Sequence, residues 1–352
     1  MANKVIKRLT TSSTWVASND LTPVDLPREG LITEVKIRAN ITATLTATAL
    51  DDFFRRIIQN IKIEGDGGRA YLGMGGTQMS TLLSLWNNVV MGIPTIHSNG
   101  AGIALAAVDV GSTAFVSEFV FHPGSNPRDP FDLTACIPAK ALSTLQAKLT
   151  TTAAAATDAN GAITAGTFNY EVNQVMANPA PGMMTPAGST ISYNHTANFT
   201  DYGYKFDVPA GAFLRSIIIR VHDDTATPAH RRKDDEVTHI RLERPKAGDY
   251  LFEQAVQEIK ATMAARYGLR PIAGDVGPIG AIATIRPAPT VGLDLYPAGF
   301  YVIDLRPFGH PLYGLDLRGY QTGDYKLAMT IANFAAGDNT TIYWDQLIPW
   351  AG

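Results

Sequence analysis

The chain has 352 residues, 45% of them apolar and 17% charged, with 29 Lys and Arg against 32 Asp and Glu and a formal net charge of −3. This composition excludes a disordered or collagen-like chain, and the lack of a bulk positive charge argues against a dedicated nucleic-acid binder. The length passes the ~250 residues at which single cores split, so two core-forming units are expected, and no apolar run reaches the ~18 residues of a membrane span.

In chain order, residues 1–24 come first, with Lys4, Lys7 and Arg8 ahead of any acid and no sustained period, which reads as a flexible arm outside the first unit. LITEVKIRANITATLTAT (31–48) alternates apolar with polar or small residues and predicts a long strand with one face on a core. RIIQNIKIE (56–64) predicts a second strand, and GDGG (65–68) and GMGG (73–76) read as turns, because no Lys stands where a phosphate-cradling loop needs one. TQMSTLLSLWNNVVM (77–91) places Met79, Leu82, Leu83, Trp86 and Val90 on one helical stripe. AFVSEFVFH (114–122) and TFNYEVNQV (167–175) predict strands, with the Ala/Thr tract 150–167 between them read as a loop.

The stretch 177–190, with three prolines and two glycines, reads as a joint. Beyond it, strands are predicted at 213–223, 237–243, 299–306, 325–334 and 340–348, and a helix at 249–268 with Leu251, Ala255, Ile259 and Met263 on its stripe. The single Cys136 leaves no internal disulfide, as in a product of a reducing cytoplasm.

An internal repeat organises these elements. At a displacement of 182, DLPREGLITEVKIR (25–38) lies over DVPAGAFLRSIIIR (207–220), pairing Asp25 with Asp207, Pro27 with Pro209 and Arg38 with Arg220. NIKIE (60–64) meets HIRLE (239–243) at 179, FVFHPGSNPRDPFDL (119–133) meets IDLRPFGHPLYGLDL (303–317) at 184, and TFNYEVNQV meets NTTIYWDQL (339–347) at 172. Such a sequence reads as a fused duplication: arm 1–24, first unit 25–178, linker 179–190 and second unit 191–352. Each copy of roughly 170 residues holds enough chain for eight strands, one helix and long loops, the content of a jelly roll.

A tandem of two such units, each opening on a Pro-started strand and passing a strand such as FFRRIIQNIKIE into a helix, resembles the double jelly-roll major capsid proteins of tailless icosahedral viruses, including tectivirus-like bacteriophages with an internal membrane. The resemblance spans about 25–348 and rests on architecture, duplication and length, since the family has no invariant signature peptide. It implies an all-β fold of two tandem eight-stranded jelly-roll barrels, each with one flanking helix, and a homotrimer standing as a pseudo-hexagonal capsomer in a virion shell assembled in the host cytoplasm. The partners implied are copies of the chain, minor capsid and vertex proteins and an internal lipid membrane, without cofactor or direct sequence-specific nucleic-acid binding. Lys4, Lys7 and Arg8 are then expected at the inner face, against an anionic membrane or an adjacent capsomer.

The residues themselves offer no catalytic constellation: G-x-S-x-G, H-E-x-x-H, C-x-x-C and the P-loop pattern are all absent. His222, Asp223 and Asp224 form the best metal candidate and read as a solvated loop, and the mixed-sign run from His230 to Glu236 reads as a charged surface loop or an intersubunit contact. The alternative function is a two-domain carbohydrate-binding or adhesive protein, which would use Trp15, Trp86, Trp344 and Trp350 as sugar platforms. A duplicated-barrel metal enzyme needs two His and a carboxylate on neighbouring strands, and the sequence offers no such cluster.

Overall fold

A computed structural model of the chain describes residues 4–45, 57–75, 95–97, 111–124, 132–153, 161–223, 231–233, 235–267, 299–306 and 314–351. The first half supplies strands β1 (Lys4–Thr14), β2 (Val24–Asp25), β3 (Leu31–Leu45), β4 (Ile58–Gly65), β5 (Arg69–Met74), β6 (Thr95–His97), β7 (Gly111–Phe121), β8 (Leu145–Thr151) and β9 (Gly161–Val175). The second supplies β10 (Met184–Pro186), β11 (Ser189–Asn194), β12 (Phe199–Asp207), β13 (Phe213–Asp223), β14 (Arg231–Arg232), β15 (Val237–Arg244), β16 (Asp249–Ala255), helix α1 (Val256–Tyr267), β17 (Phe300–Asp304), β18 (Leu315–Asp316), β19 (Lys326–Ile331) and β20 (Asp338–Pro349).

Each half folds as two antiparallel sheets. In the first, β3 lies between β9 and β7 in the sheet β1-β9-β3-β7-β6, and β4 lies between β8 and β5 in the sheet β2-β8-β4-β5. The second repeats this pairing: β13 lies between β20 and β17, and β15 between β19 and β16, with β12 outside β19 as β2 is outside β8. The alternation read in β3 is realised, with Val35, Ile37, Ala39, Ile41 and Ala43 buried and Lys36, Arg38, Asn40 and Thr42 half-exposed between them. β13 is buried on both faces at every position from Phe213 to His222, so it does not alternate, and Arg215, Ser216, Arg220 and His222 are buried along with Ile217, Ile218 and Ile219. Side chains from all four sheets form one connected apolar core, in which each fully buried Ile or Phe contributes about 1.5–3 kcal/mol over an exposed one.

Strand register reproduces the sequence repeat. Val35 lies opposite Val172 and Ile37 opposite Tyr170, and at displacements of 182 and 172 Ile217 lies opposite Trp344 and Ile219 opposite Ile342. The 184 match holds after the Pro-bracketed loops: Asp132 accepts the backbone N–H of Thr134 at 2.8 Å, and Asp316 accepts that of Arg318 at 3.1 Å. Before those loops the register differs by two residues, because Phe119 lies opposite Ile37 and Tyr301 opposite Ile219. A shift of two residues is one full pleat and keeps every side chain on its face.

Four sequence expectations are corrected. Residues 4–14 are not a flexible tail: they form edge strand β1, paired along β9 from Lys4 opposite Val175 to Thr14 opposite Thr167. The supposed linker 179–190 contains β10 and the start of β11, which pair along β20 as β1 does along β9, with Pro186 opposite Leu347 and Asn194 opposite Asn339. The helix expected over 249–268 begins at Val256; Asp249–Ala255 turns back after Arg244 and pairs with β15, so ladder hydrogen bonds override a helical spacing of apolar residues. The Ala/Thr tract is strand from Gly161 onward, as the continuation of β9 opposite the end of β3. The helix expected over 77–91, with Trp86, lies outside the described residues.

Candidate assembly surfaces

The two units of the chain meet at a seam built by β5, β10, β11 and the turn after β7. Arg69, the first residue of β5, donates to the Thr185 hydroxyl at 2.7 Å and lies over the Tyr71 and Trp350 rings at 5.1 and 5.7 Å. Thr190 of β11 donates its hydroxyl to the carbonyl of Gly73 in β5. Arg215, on β13 and almost wholly buried, donates to the Pro123 carbonyl of the first unit at 2.7 Å and grips both oxygens of Asp345 at 3.1 and 2.7 Å. Ala135 of the first unit packs with Met184, Phe213 and Leu347 of the second. A buried cation that satisfies a carboxylate in one unit and a carbonyl in the other ties the units together, since either partner alone is costly to bury.

The predicted contact residues Lys4, Lys7 and Arg8 all lie on β1, the edge strand of its sheet among the described residues. Lys7 pairs with Glu29 at 2.5 Å and Arg8 with Glu171 at 3.0 Å, where Lys36 also reaches the carboxylate at 3.5 Å. Burial works against the Glu171 charge, but the Arg8 hydrogen bond and the two cations hold its carboxyl below the usual range. Both units carry a related ion cluster on the other sheet. Glu64 of β4 sits between Lys62 and Lys148, and its counterpart Glu243 of β15 sits between Lys205 and Arg241. The matched pairs Lys62/Arg241 and Glu64/Glu243 are those of the NIKIE and HIRLE segments.

The remaining sequence candidates are placed differently from their reading. His222 is buried at the end of β13 with Nε2 at 2.9 Å from the Thr341 hydroxyl, and Asp223 lies beside it on the same strand, so this is a strand end rather than a solvated loop. Asp224 lies outside the described residues. In the run from His230 to Glu236, Lys233 pairs with Asp338 at 2.6 Å and Glu236 is fully buried against His195 Nδ1, whose Nε2 lies 2.7 Å from the Thr340 hydroxyl. Burial pushes the Glu236 carboxyl up. No residue spacing announces this His195–Glu236 pair, because the residue after β11 and the residue before β15 are brought together only by the barrel. Among the described residues no group of three or more His, Cys, Asp or Glu is placed to hold a metal ion. Trp344 is fully buried, and Trp15 and Trp350 pack against the core, so none of the three is a flat exposed sugar platform. Asp66 fills the GDGG turn itself, accepting from the backbone and hydroxyls of Ser143 and Thr144, which leaves no anion cradle there.

Two facing-sheet units of matching strand order, joined in tandem, define a double jelly roll. The chain is similar to the crystal structure of the major capsid protein of Sulfolobus turreted icosahedral virus (STIV), with a TM-score of 0.69 at 13% identity over 99% of this chain and 98% of that one. It is also similar to the same virus's protein in the atomic structure of the particle, with the same score and identity over 99% of this chain and 91% of that chain. A quasi-atomic structure of the PBCV-1 virus capsid gives 0.61 at 10% identity over 99% and 94%. No protein-family model and no curated protein matches the sequence. At these identities the likeness is one of fold, and it covers both units.

Proposed function

We propose that this chain is the major capsid protein of an icosahedral virus and that it works as a homotrimer, a pseudo-hexagonal capsomer of six barrels. The observation that carries the reading is the duplication itself, in which the central and closing strands repeat in register and the sheets repeat in strand order, in a fold shared end to end with the capsid proteins of STIV and PBCV-1. Two similar barrels in one chain, taken three times, give six similar barrels around a ring, a unit that tiles a hexagonal sheet. The reading assigns no catalytic residue and no cofactor; it places the protein in the virion shell after assembly in the host cytoplasm, with copies of itself as the main partner and minor capsid or vertex proteins as further ones.

Of the two contacts expected for Lys4, Lys7 and Arg8, we favour a neighbouring protein subunit over a lipid surface. Lys7 pairs with Glu29, and Arg8 shares Glu171 with Lys36, which partly offsets the attraction of about 1 kcal/mol per cation that an anionic leaflet offers. Native mass spectrometry with negative-stain microscopy tests the function: a species near three times 37.8 kDa and hexagonal capsomers or shells are expected. A monomer or dimer as the sole species at micromolar concentration overturns it.

A further inference from the structure

The second unit holds a Lys–Asp pair set among acids. Asp338 opens β20 with its side chain fully buried, and Lys233, between β14 and β15, reaches it with a side chain 20% exposed, Nζ lying 2.6 Å from Oδ2. The two residues stand 105 positions apart. Both are pinned from several sides. The Lys233 backbone N–H donates to the Val221 carbonyl of β13 at 3.1 Å, and its Nζ also donates to the Asn333 carbonyl at 3.0 Å. The Asp338 backbone N–H donates to the Ala335 carbonyl at 3.1 Å, and its Oδ2 accepts the Ala335 N–H at 2.6 Å. Beside them, the His195 backbone N–H donates to the Asp338 carbonyl at 2.9 Å, while the His195 ring holds Glu236 Oε1. Asp338 Oδ1 and Glu236 Oε2 are both buried, and no hydrogen bond reaches either among the described residues.

A buried ion pair that serves stability alone needs its remaining lone pairs satisfied, and this one leaves two carboxyl oxygens bare. The surrounding charges are mostly negative. Asp223 of β13 is the register partner of Asp338, and Glu236 and Asp235 both act on the Lys233 ammonium. Burial pushes the Glu236 carboxyl up, the His195 contact pulls it down, and the Asp338 and Lys233 charges then act on it with opposite sign, so Glu236 lies within electrostatic reach of both members of the pair. A carboxyl that keeps its proton beside an amine and a second carboxyl is placed to relay protons between them. The 2.6 Å hydrogen bond leaves Asp338 Cγ about 3.5 Å from Nζ, near the separation of a near-attack conformer.

We propose that Lys233 and Asp338 condense into an intramolecular isopeptide bond, with Glu236 relaying the proton. The ammonium first passes a proton to the carboxylate along their hydrogen bond, which leaves a neutral amine facing a carboxylic acid. The Nζ lone pair then attacks Cγ, and the C=O electron pair moves onto oxygen. As that pair returns, the bond from Cγ to the hydroxyl breaks, Nζ gives a proton to Glu236, and the proton Glu236 held leaves with the hydroxyl as water. One C–N bond replaces one C–O bond, one water is released, Glu236 ends as it began, and nothing is oxidised or reduced. Burial works against the Lys233 ammonium, but the Asp338, Glu236 and Asp235 charges outweigh it, so the amine is a minor form and the bond forms slowly. The product ties the start of the closing strand β20 to the segment leading into β15, in a chain whose one cysteine can make no internal disulfide. The bond lies within one chain and does not depend on the capsid reading.

Intact mass spectrometry of the full folded chain, followed through prolonged incubation at neutral pH, tests it. The mass is expected to fall by one water, and a tryptic digest to yield a branched peptide that joins positions 233 and 338 with cleavage after Lys233 blocked. Lys233→Arg keeps the ion pair but offers no nucleophilic amine, so it is expected to hold the full sequence mass in a chain that melts cooperatively. Glu236→Gln keeps the shape of the side chain and removes its acid, and is expected to slow bond formation at least about tenfold. A folded parent chain that keeps its full mass overturns the proposal, as does a loss of water that maps to other positions or persists in Lys233→Arg. Bond formation at the parent rate in Glu236→Gln overturns the relay.

Discussion

Gln346 donates its side-chain amide to the carbonyl oxygen of Pro209 at 3.0 Å, and Gln174 donates to Pro27 at the same distance. Both glutamines are buried on the closing strand of their unit, and both prolines precede its long central strand. A proline carbonyl just ahead of a strand has no ladder partner of its own, so a side chain must supply the donor. Replacing either glutamine by leucine leaves that carbonyl without its donor and is expected to cost about 1–3 kcal/mol at each site. Chemical denaturation of the two single variants checks this, and a loss in one unit without a comparable loss in the other would show that the two hydrogen bonds are not equivalent.

Arg215→Ala leaves Asp345 buried without its cation and the Pro123 carbonyl without its donor. The expected loss is about 3–5 kcal/mol, far above that of a surface substitution. Because this side chain bridges the units, the unfolding curve of the variant is expected to separate into two transitions where the parent chain shows one. A single transition with an unchanged midpoint contradicts the bridging role.

Acid is expected to weaken the fold over a defined range. Hydrogen bonds from the Ser143 backbone and hydroxyl and from Thr144 hold Asp66 down to about 2, and ion-pair hydrogen bonds from Arg244, Arg318 and Lys246 hold Asp249, Asp316 and Asp324 below the usual carboxylate range. These groups bind protons less readily folded than unfolded, so their contribution is complete above the unfolded value near 3.8 and fades as pH falls toward about 2. Asp66→Asn is expected to flatten the fall in stability across that window and to leave the slope above pH 5 unchanged, as read by denaturant titrations at stepped pH.

Cys136 is buried, its Sγ 3.3 Å from the Met183 sulfur, and burial pushes its thiol up to about 12. At pH 8 the thiolate fraction is negligible, so thiol reagents are expected to label the native chain no faster than it unfolds and to label it at once in denaturant. Rapid labelling of the folded protein would show that the seam beside Met183 opens.

The central strands were legible because their side chains obey one rule over many residues. The run from Phe213 to Asp223 was bounded correctly, and the displacements of 182 and 172 reappear as strand register. The edges were not legible for a physical reason. Among the described residues β1 pairs on one side alone and its outward positions Ile6, Arg8 and Thr10 are exposed, so the residues KVIKRLTTSST show no apolar stripe. Its counterpart β10 and β11 shares no residue pattern with it and is interrupted by Pro186 and Gly188, which read as a joint. β16 carries Leu251 and Ala255 at a helical spacing with Ile259, and long-range pairing with β15 decides against it. The seam residue Arg215 and the buried pair His195–Glu236 join segments 130 and 41 residues apart, beyond any local spacing rule.

The segment Met176–Met183 between β9 and β10 keeps the two units within a few tens of ångströms of each other. A tether this short gives each unit an effective concentration of its partner in the millimolar range, so a seam too weak to join two separate polypeptides stays closed here. Its side chains are therefore under less pressure to bind tightly than those of a contact between separate chains, and individual seam residues such as Thr185 or Thr190 can be exchanged at little expense to occupancy.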